Sequence, residues 1–183
     1  MKYILIECIH FLGRSDNLTS IFDMLPDSAF SASSINYVHH NPAASRLHKT
    51  LDYSWIPGSA QTGEYITANL GSAYDVVAVA SQGRTDQPSQ YLTQFKLLHS
   101  MDGVNFEYVV DDSNEHYLFS LSHAIQDTVE YNMLPYTVHA THVRLEVVQF
   151  NSFAAVRWDV FFIDTSKIYL YIPYTCRDKR IYM

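Results

Sequence analysis

Hydrophobic and polar positions alternate over several short stretches of the chain. The clearest is 143–148, where Val143, Leu145 and Val147 fall on one side and Arg144 and Glu146 on the other. A period of two is the signature of a half-buried β-strand. Segments 64–70, 76–80, 95–99, 106–110 and 156–162 alternate or are rich in β-formers, and they predict further strands. Ser100-Met101-Asp102-Gly103 stands between two of these. Asp-Gly predicts a hairpin there, because glycine accepts a positive φ. Helical pattern is confined to a turn or two near 20–25 and 43–47. Trp55, Phe95, Phe106, Trp158, Val160 and Phe161 are read as core. The intervals 35–63, 81–91 and 111–139 predict extended loops. Long loops on a rigid β scaffold are usual places for binding.

Composition fits an all-β chain. Hydrophobic residues make up 48% and charged residues 17%, which disfavours disorder, and the 14 Tyr and 10 Phe favour strands. At 183 residues the chain accommodates one domain with tails. A net charge of −7 argues against nucleic acid as a partner. No apolar run approaches the roughly 20 residues of a transmembrane helix. Lys2 precedes four apolar residues, but Glu7 ends a run too short for a secretion signal, so an ordinary first strand or a fragment boundary is the preferred reading. Cys8 and Cys176 are free thiols in a reducing compartment or a chain-closing pair in an oxidising one. Asn17-Leu18-Thr19 is a glycosylation sequon, which puts Asn17 forward as an acceptor only if the chain is secreted.

The order of several motifs resembles a known family. Leu12-Gly13, the run 26–34, Arg46-Leu47 and Trp55 resemble the opening of a coagulation factor five/eight type C, or discoidin, domain of the galactose-binding-like superfamily. Segment 64–71 is similar to the family's Trp-Leu-x-Val-Asp-Leu-Gly, with Tyr65 in place of Trp and Asn69 in place of Asp. Ser81-Gln82-Gly83-Arg84 matches its Thr-Gln-Gly-Arg turn, and 91–95, 100–103, 143–145 and 155–159 match later strands and the hairpin. The resemblance runs over 8–163 and leaves 164–183 as a C-terminal tail outside it.

The resemblance implies an eight-stranded antiparallel jelly-roll barrel with long loops at one end and no catalysis. It implies an extracellular or cell-surface adhesion module, part of a larger multidomain protein, whose partner is a lipid, a glycan or a receptor or matrix protein; the alternatives are a lectin-like module for galactose-type glycans and the targeting domain of a larger enzyme. The family's last cysteine falls on Ile163, so a disulfide between Cys8 and Cys176 would be displaced. Closing so long a loop is worth about 5 kcal/mol in the chain-entropy view.

Site residues follow from both readings. The stretch 28–51 contains no Asp or Glu but holds His39, His40, Arg46, His48 and Lys49. Tyr37 and Val38 fall near the tip of the first projecting loop of the resembled fold, and an apolar tip ringed by cations suits an anionic phospholipid surface. Tyr37, His39, His40, Arg84 and Tyr91 together also suit a sugar site, in which rings stack on pyranose faces and Arg and His hold hydroxyls. Exposed histidines titrate near pH 6.5, so binding of an anionic ligand is expected to strengthen on acidification. Neither His39-His40 nor His139-Ala-Thr-His142 has zinc-ligand spacing in extended chain. The acidic run 111–115 lacks the calcium-loop pattern, so no cofactor or metal is expected and calcium has no motif to support it. No nucleophile elbow, zinc-protease or phosphate-loop motif is present.

Overall fold

The computed structural model describes residues 18–47, 53–84, 86–87, 89–122 and 128–164. Cys8, Asn17, His48, Lys49, Cys176 and nearly all of the 164–183 tail lie outside the described residues. The chain divides into two compact units, Ser20–Phe162 and a second formed by 1–19 with 163–183. Everything that positions the candidate site belongs to the first.

The fold is all-β. The described residues form eight strands: β1 (Leu18–Ser20), β2 (Phe30–Ala32), β3 (Tyr65–Gln82), β4 (Tyr91–Ser100), β5 (Glu107–Tyr108), β6 (Phe119–Ser120), β7 (Glu130–Asn151) and β8 (Arg157–Ile163). Among the described residues helix is limited to the 3-10 turns Phe22–Met24, Asp27–Ala29, Val38–His40 and Pro42–Ser45. Within Ser20–Phe162 the strands run in the order β8-β3-β7-β4-β5, with β2 added to β3 and β6 to β4. The pairings among these strands are antiparallel. This is the eight-stranded jelly-roll architecture that the motif order implied.

Alternation decides which side of each strand is buried. Ile66, Ala68 and Leu70 of β3, Phe95 and Leu97 of β4, and Val143, Leu145 and Val147 of β7 all join the core. Trp55 and Trp158 are fully buried, and Phe22 packs edge-on against Trp158 at 4.8 Å. Phe95 stacks flat on Phe119 at 4.9 Å. Phe106 departs from its expected place in the core: it is half-buried on the opposite side of the sheet, over the guanidinium of Arg144.

Two predicted strands, 64–70 and 76–80, are one long β3 interrupted by an irregularity. Its register against β7 jumps from Asn69↔His142 to Tyr74↔Ala140, and Gly71 takes φ 75° in the extra segment. A second jump, from Val76↔Val138 to Ala78↔Met133, leaves 134–137 of β7 out of the ladder. Pro135 falls in that segment, where its missing N–H costs no ladder hydrogen bond. The interval 111–139 is therefore not a continuous loop as expected: β6 and the first part of β7 occupy much of it. The bulge and the polar residues between Leu134 and Val138 erase the period-two signal there.

Candidate functional site

The first projecting loop is built on two consecutive 3-10 turns. Asn41 joins them: its Oδ1 accepts from Ala44 N at 3.2 Å and its Nδ2 donates to Val38 O at 3.1 Å. Pro42 starts the second turn with its φ already set. On this base Tyr37 and Val38 stand out, 67% and 71% exposed.

The two adjacent histidines part company. His39 is exposed and stacks on Tyr53, ring centroids 5.3 Å apart and 18° from parallel. His40 turns inward, only 9% exposed, with Nδ1 at 3.1 Å from Ser54 O. Burial holds the His40 ring below its ordinary pKa, with Arg84 and His39 adding to the effect; the Ser54 carbonyl and Asp86 oppose it. His40 thus ties the loop to the segment before Trp55, while His39 and Tyr53 present a flat pair of rings.

The 83–90 connection between β3 and β4 lies within electrostatic reach of His40. Arg84 N donates to Gln90 O at 3.3 Å, closing the loop. The Arg84 guanidinium donates through Nε and Nη2 to the two oxygens of Asp86 and through Nη1 to Gln90 Oε1 at 2.9 Å. These bonds hold the Asp86 carboxyl below its usual range. The Arg84 side chain is only 12% exposed, so it is a fixed group and not a free cation. Tyr91 follows at the start of β4, opposite Asn151 of β7 and half-buried.

The structure therefore gives Tyr37, Val38, His39, His40, Arg84 and Tyr91 defined places in two neighbouring loop systems, with the electrostatic influence of Arg84 and Asp86 on His40 linking them. Sequence reasoning missed Tyr53, Asp86 and Gln90. The spacing Arg84-x-Asp86 is a local signal for a side-chain pair; Tyr53 had none, because it lies in a stretch without periodicity.

Of the cations expected around the tip, His39 is exposed, Arg46 and His40 turn inward, and His48 and Lys49 lie outside the described residues. Arg46 is buried under the turns, donating to Phe22 O, Ala43 O, Leu25 O and Asp27 Oδ1, and it lies 4.4 Å from the Phe30 ring centre. His40 is buried too, so the assumption that it titrates as an exposed group does not hold. Among the described residues no three His, Cys, Asp or Glu side chains are grouped to hold a metal. Asp111 of the acidic run accepts from Ser113 N and Glu115 N, which closes its own turn. No described helix is long and apolar enough to cross a membrane.

Comparison with known proteins follows the geometry. Rat lactadherin is 26% identical over 156 residues, covering 81% of this chain and 36% of its own length, so the chain spans about a third of that relative. The structure of recombinant discoidin II from Dictyostelium discoideum shares the fold with a TM-score of 0.68 at 19% identity, covering 81% of this chain and 60% of that one. The CpGH89CBM32-5 module of Clostridium perfringens matches with a TM-score of 0.62 at 18% identity, covering 78% of this chain and 99% of its own. The sequence model of the F5/8 type C domain matches residues 29–159, well over half of the chain, from the residue before β2 to the buried Asp159 of β8: the protein belongs to the F5/8 type C domain family.

Proposed function

We propose that the chain is a non-catalytic recognition module of an extracellular or cell-surface protein, and that its loop end binds a neutral, galactose-type glycan. The observation that carries this reading is an exposed Tyr37 and a stacked His39–Tyr53 ring pair on the first loop, whose His40 lies within electrostatic reach of an Arg84 fixed by Asp86 and Gln90. Ring faces pack on the C–H surface of a pyranose, and a guanidinium already held in place loses little entropy when it donates to a hydroxyl. The Clostridium module determined with GalNAc-β-1,3-galactose supports it as a same-fold precedent. The chain's place in a larger adhesion protein, with the domain over 8–163, belongs to the same proposal.

A phospholipid surface is the second reading, favoured by the exposure of Val38 next to Tyr37. It is weaker, because Arg46 and His40 are turned inward and Arg84 already has its carboxylate. A glycan array together with sedimentation on phosphatidylserine vesicles separates the two. The expected result is retention on terminal-galactose glycans, lost in Tyr37→Ala with an unchanged thermal melt. Vesicle binding lost in Tyr37→Ala, with no glycan retained by the parent protein, would replace the first reading by the second.

A further inference from the structure

Away from the loop end, the outward side of the sheet carries a second cluster. Alternation puts Tyr65 and Thr67 of β3, Arg144 and Glu146 of β7, and Lys96 of β4 on the side opposite the core. Arg144 is clasped by two rings: its guanidinium carbon lies 4.1 Å from the centre of Tyr65 and 3.8 Å from that of Phe106. Its Nε donates to Thr67 Oγ1 at 3.0 Å. Among the described residues neither Nη group has an acceptor, and no carboxylate oxygen lies within ion-pair distance of it. The Nη atoms are also not among the fully buried polar atoms that lack partners, so they keep some solvent exposure. The described arginines 46 and 84 have carboxylate partners and Arg157 donates to Gly83 O. Arg144 alone among these four is immobilised with its fork free.

The surroundings narrow the ligand. A carboxylate on this side, Glu146, accepts from Tyr108 OH at 3.0 Å and stands opposite Lys96 in the ladder. Asn69, two residues beyond Thr67 on β3, is neutral and caps Gly71 N. The site thus offers one uncompensated guanidinium edge, a carboxylate about two strand residues (~7 Å) away, and half-buried rings between and beside them. A guanidinium fork matches an anion presenting two oxygens. A second anionic group at that distance would meet Glu146, whereas a hydroxyl there would donate to it. The net charge of −7 further disfavours a densely charged polymer or an anionic membrane.

We propose that this sheet surface is a second binding site, for an acidic saccharide whose single carboxylate or sulfate per hydroxyl-bearing unit is gripped by Arg144. Tyr65 and Phe106 set the guanidinium in place, so the fork is ready before the ligand arrives. Glu146 and Tyr108 receive the hydroxyls of the same or the adjoining sugar.

Calorimetric titration of the full chain tests this, with trigalacturonate for the carboxylate source and a monosulfated galactobiose for the sulfate source. Neutral galactotriose and triglutamate serve as comparisons. Binding of at least one acidic saccharide is expected, falling about ten- to a hundredfold in Arg144→Gln, the loss expected for a charge-assisted hydrogen bond. Arg144→Lys keeps the charge and fills the space between the rings but lacks the fork, and it is expected to lose most of that affinity too. It decides the matter if Arg144→Gln fails to fold. Tyr37→Ala is expected to remove neutral-glycan binding and spare the acidic-saccharide signal, which separates failure here from failure at the loop end. Undetectable binding of both acidic saccharides, full affinity in Arg144→Lys, or triglutamate bound as tightly as either sugar would each overturn the proposal.

Discussion

Arg46 and Asp27 form a 2.5 Å ion pair, yet the two sides of it differ in worth. Asp27's side chain is 75% exposed, and an ion pair with one partner in water contributes little. Arg46's side chain is 9% exposed and satisfies three backbone carbonyls besides the carboxylate. Arg46→Met keeps most of the volume but strips donors from the carbonyls of Phe22, Leu25 and Ala43. It is expected to cost about 3–5 kcal/mol in urea unfolding, as for breaking a buried charged network. Asp27→Asn is expected to cost less than about 1 kcal/mol. Equal losses in the two variants would mean that the ion pair, and not the carbonyl network, holds the turns. None of this was legible in the sequence. The acid-free stretch 28–51 suggested an outward basic face, but Arg46's partners at 22, 25 and 27 lie some twenty residues earlier and only the fold brings them under it. The same holds for His39 and His40, identical in type and adjacent, of which Ser54 draws one inward and Tyr53 keeps the other at the surface.

At the scale of elements, the hairpin after β4 was the most readable feature. Asp102 Oδ1 accepts from Val104 N and Asn105 N, both at 2.8 Å, and Gly103 takes φ 74°. A β-carbon at Gly103 would also stand 2.8 Å from His142 Nε2 of β7. Gly103→Ala therefore carries a left-handed backbone penalty of about 1–2 kcal/mol plus displacement of His142. Gly63→Ala is the control: its φ is 85° but nothing lies within 4 Å of the added carbon. The expected outcome is a larger drop in melting temperature for Gly103→Ala than for Gly63→Ala, and equal drops would remove His142 from the account. The middle of β7 was readable for a related reason, since 143–147 is flanked by neighbours on both sides and buries every second residue. Its first part was not, because 134–137 leaves the ladder and the core-facing positions then change from even (Leu134, Val138, Ala140) to odd (Val143, Leu145, Val147) where the register jumps between Tyr74↔Ala140 and Asn69↔His142. Strands as short as β2 and β6 fall below the length at which alternation can be seen at all.

For the molecule as a whole, one carboxyl couples stability to pH against the usual direction. Asp159 sits on β8 at 3% exposure, and burial pushes its pKa up to about 7. Hydrogen bonds from Ser20 Oγ, Phe22 N and Val160 N pull the other way and are outweighed. An unfolded Asp releases its proton near pH 3.9. Between about 4 and about 7 the folded chain therefore holds a proton that the unfolded chain has lost. The stability this group contributes is complete below about pH 4 and is lost as pH rises through about 7. Glu64, which accepts from three serine hydroxyls, and Asp86, held by Arg84, have lowered values and act oppositely: their contribution is present above the unfolded carboxylate range and fades as pH falls. Asp159→Asn isolates the first effect, since an amide oxygen still accepts from Phe22 N and carries no charge at any pH. Relative to the parent chain, the variant is expected to gain stability as pH is raised from 5 to 8, with about 3 kcal/mol as the ceiling, since about two pH units of that window lie below the folded pKa. Urea unfolding of both proteins at pH 5, 6.5 and 8 measures that difference. A difference that stays constant over the three values would mean that Asp159 is ionised throughout and that the donors at 20, 22 and 160 outweigh its burial.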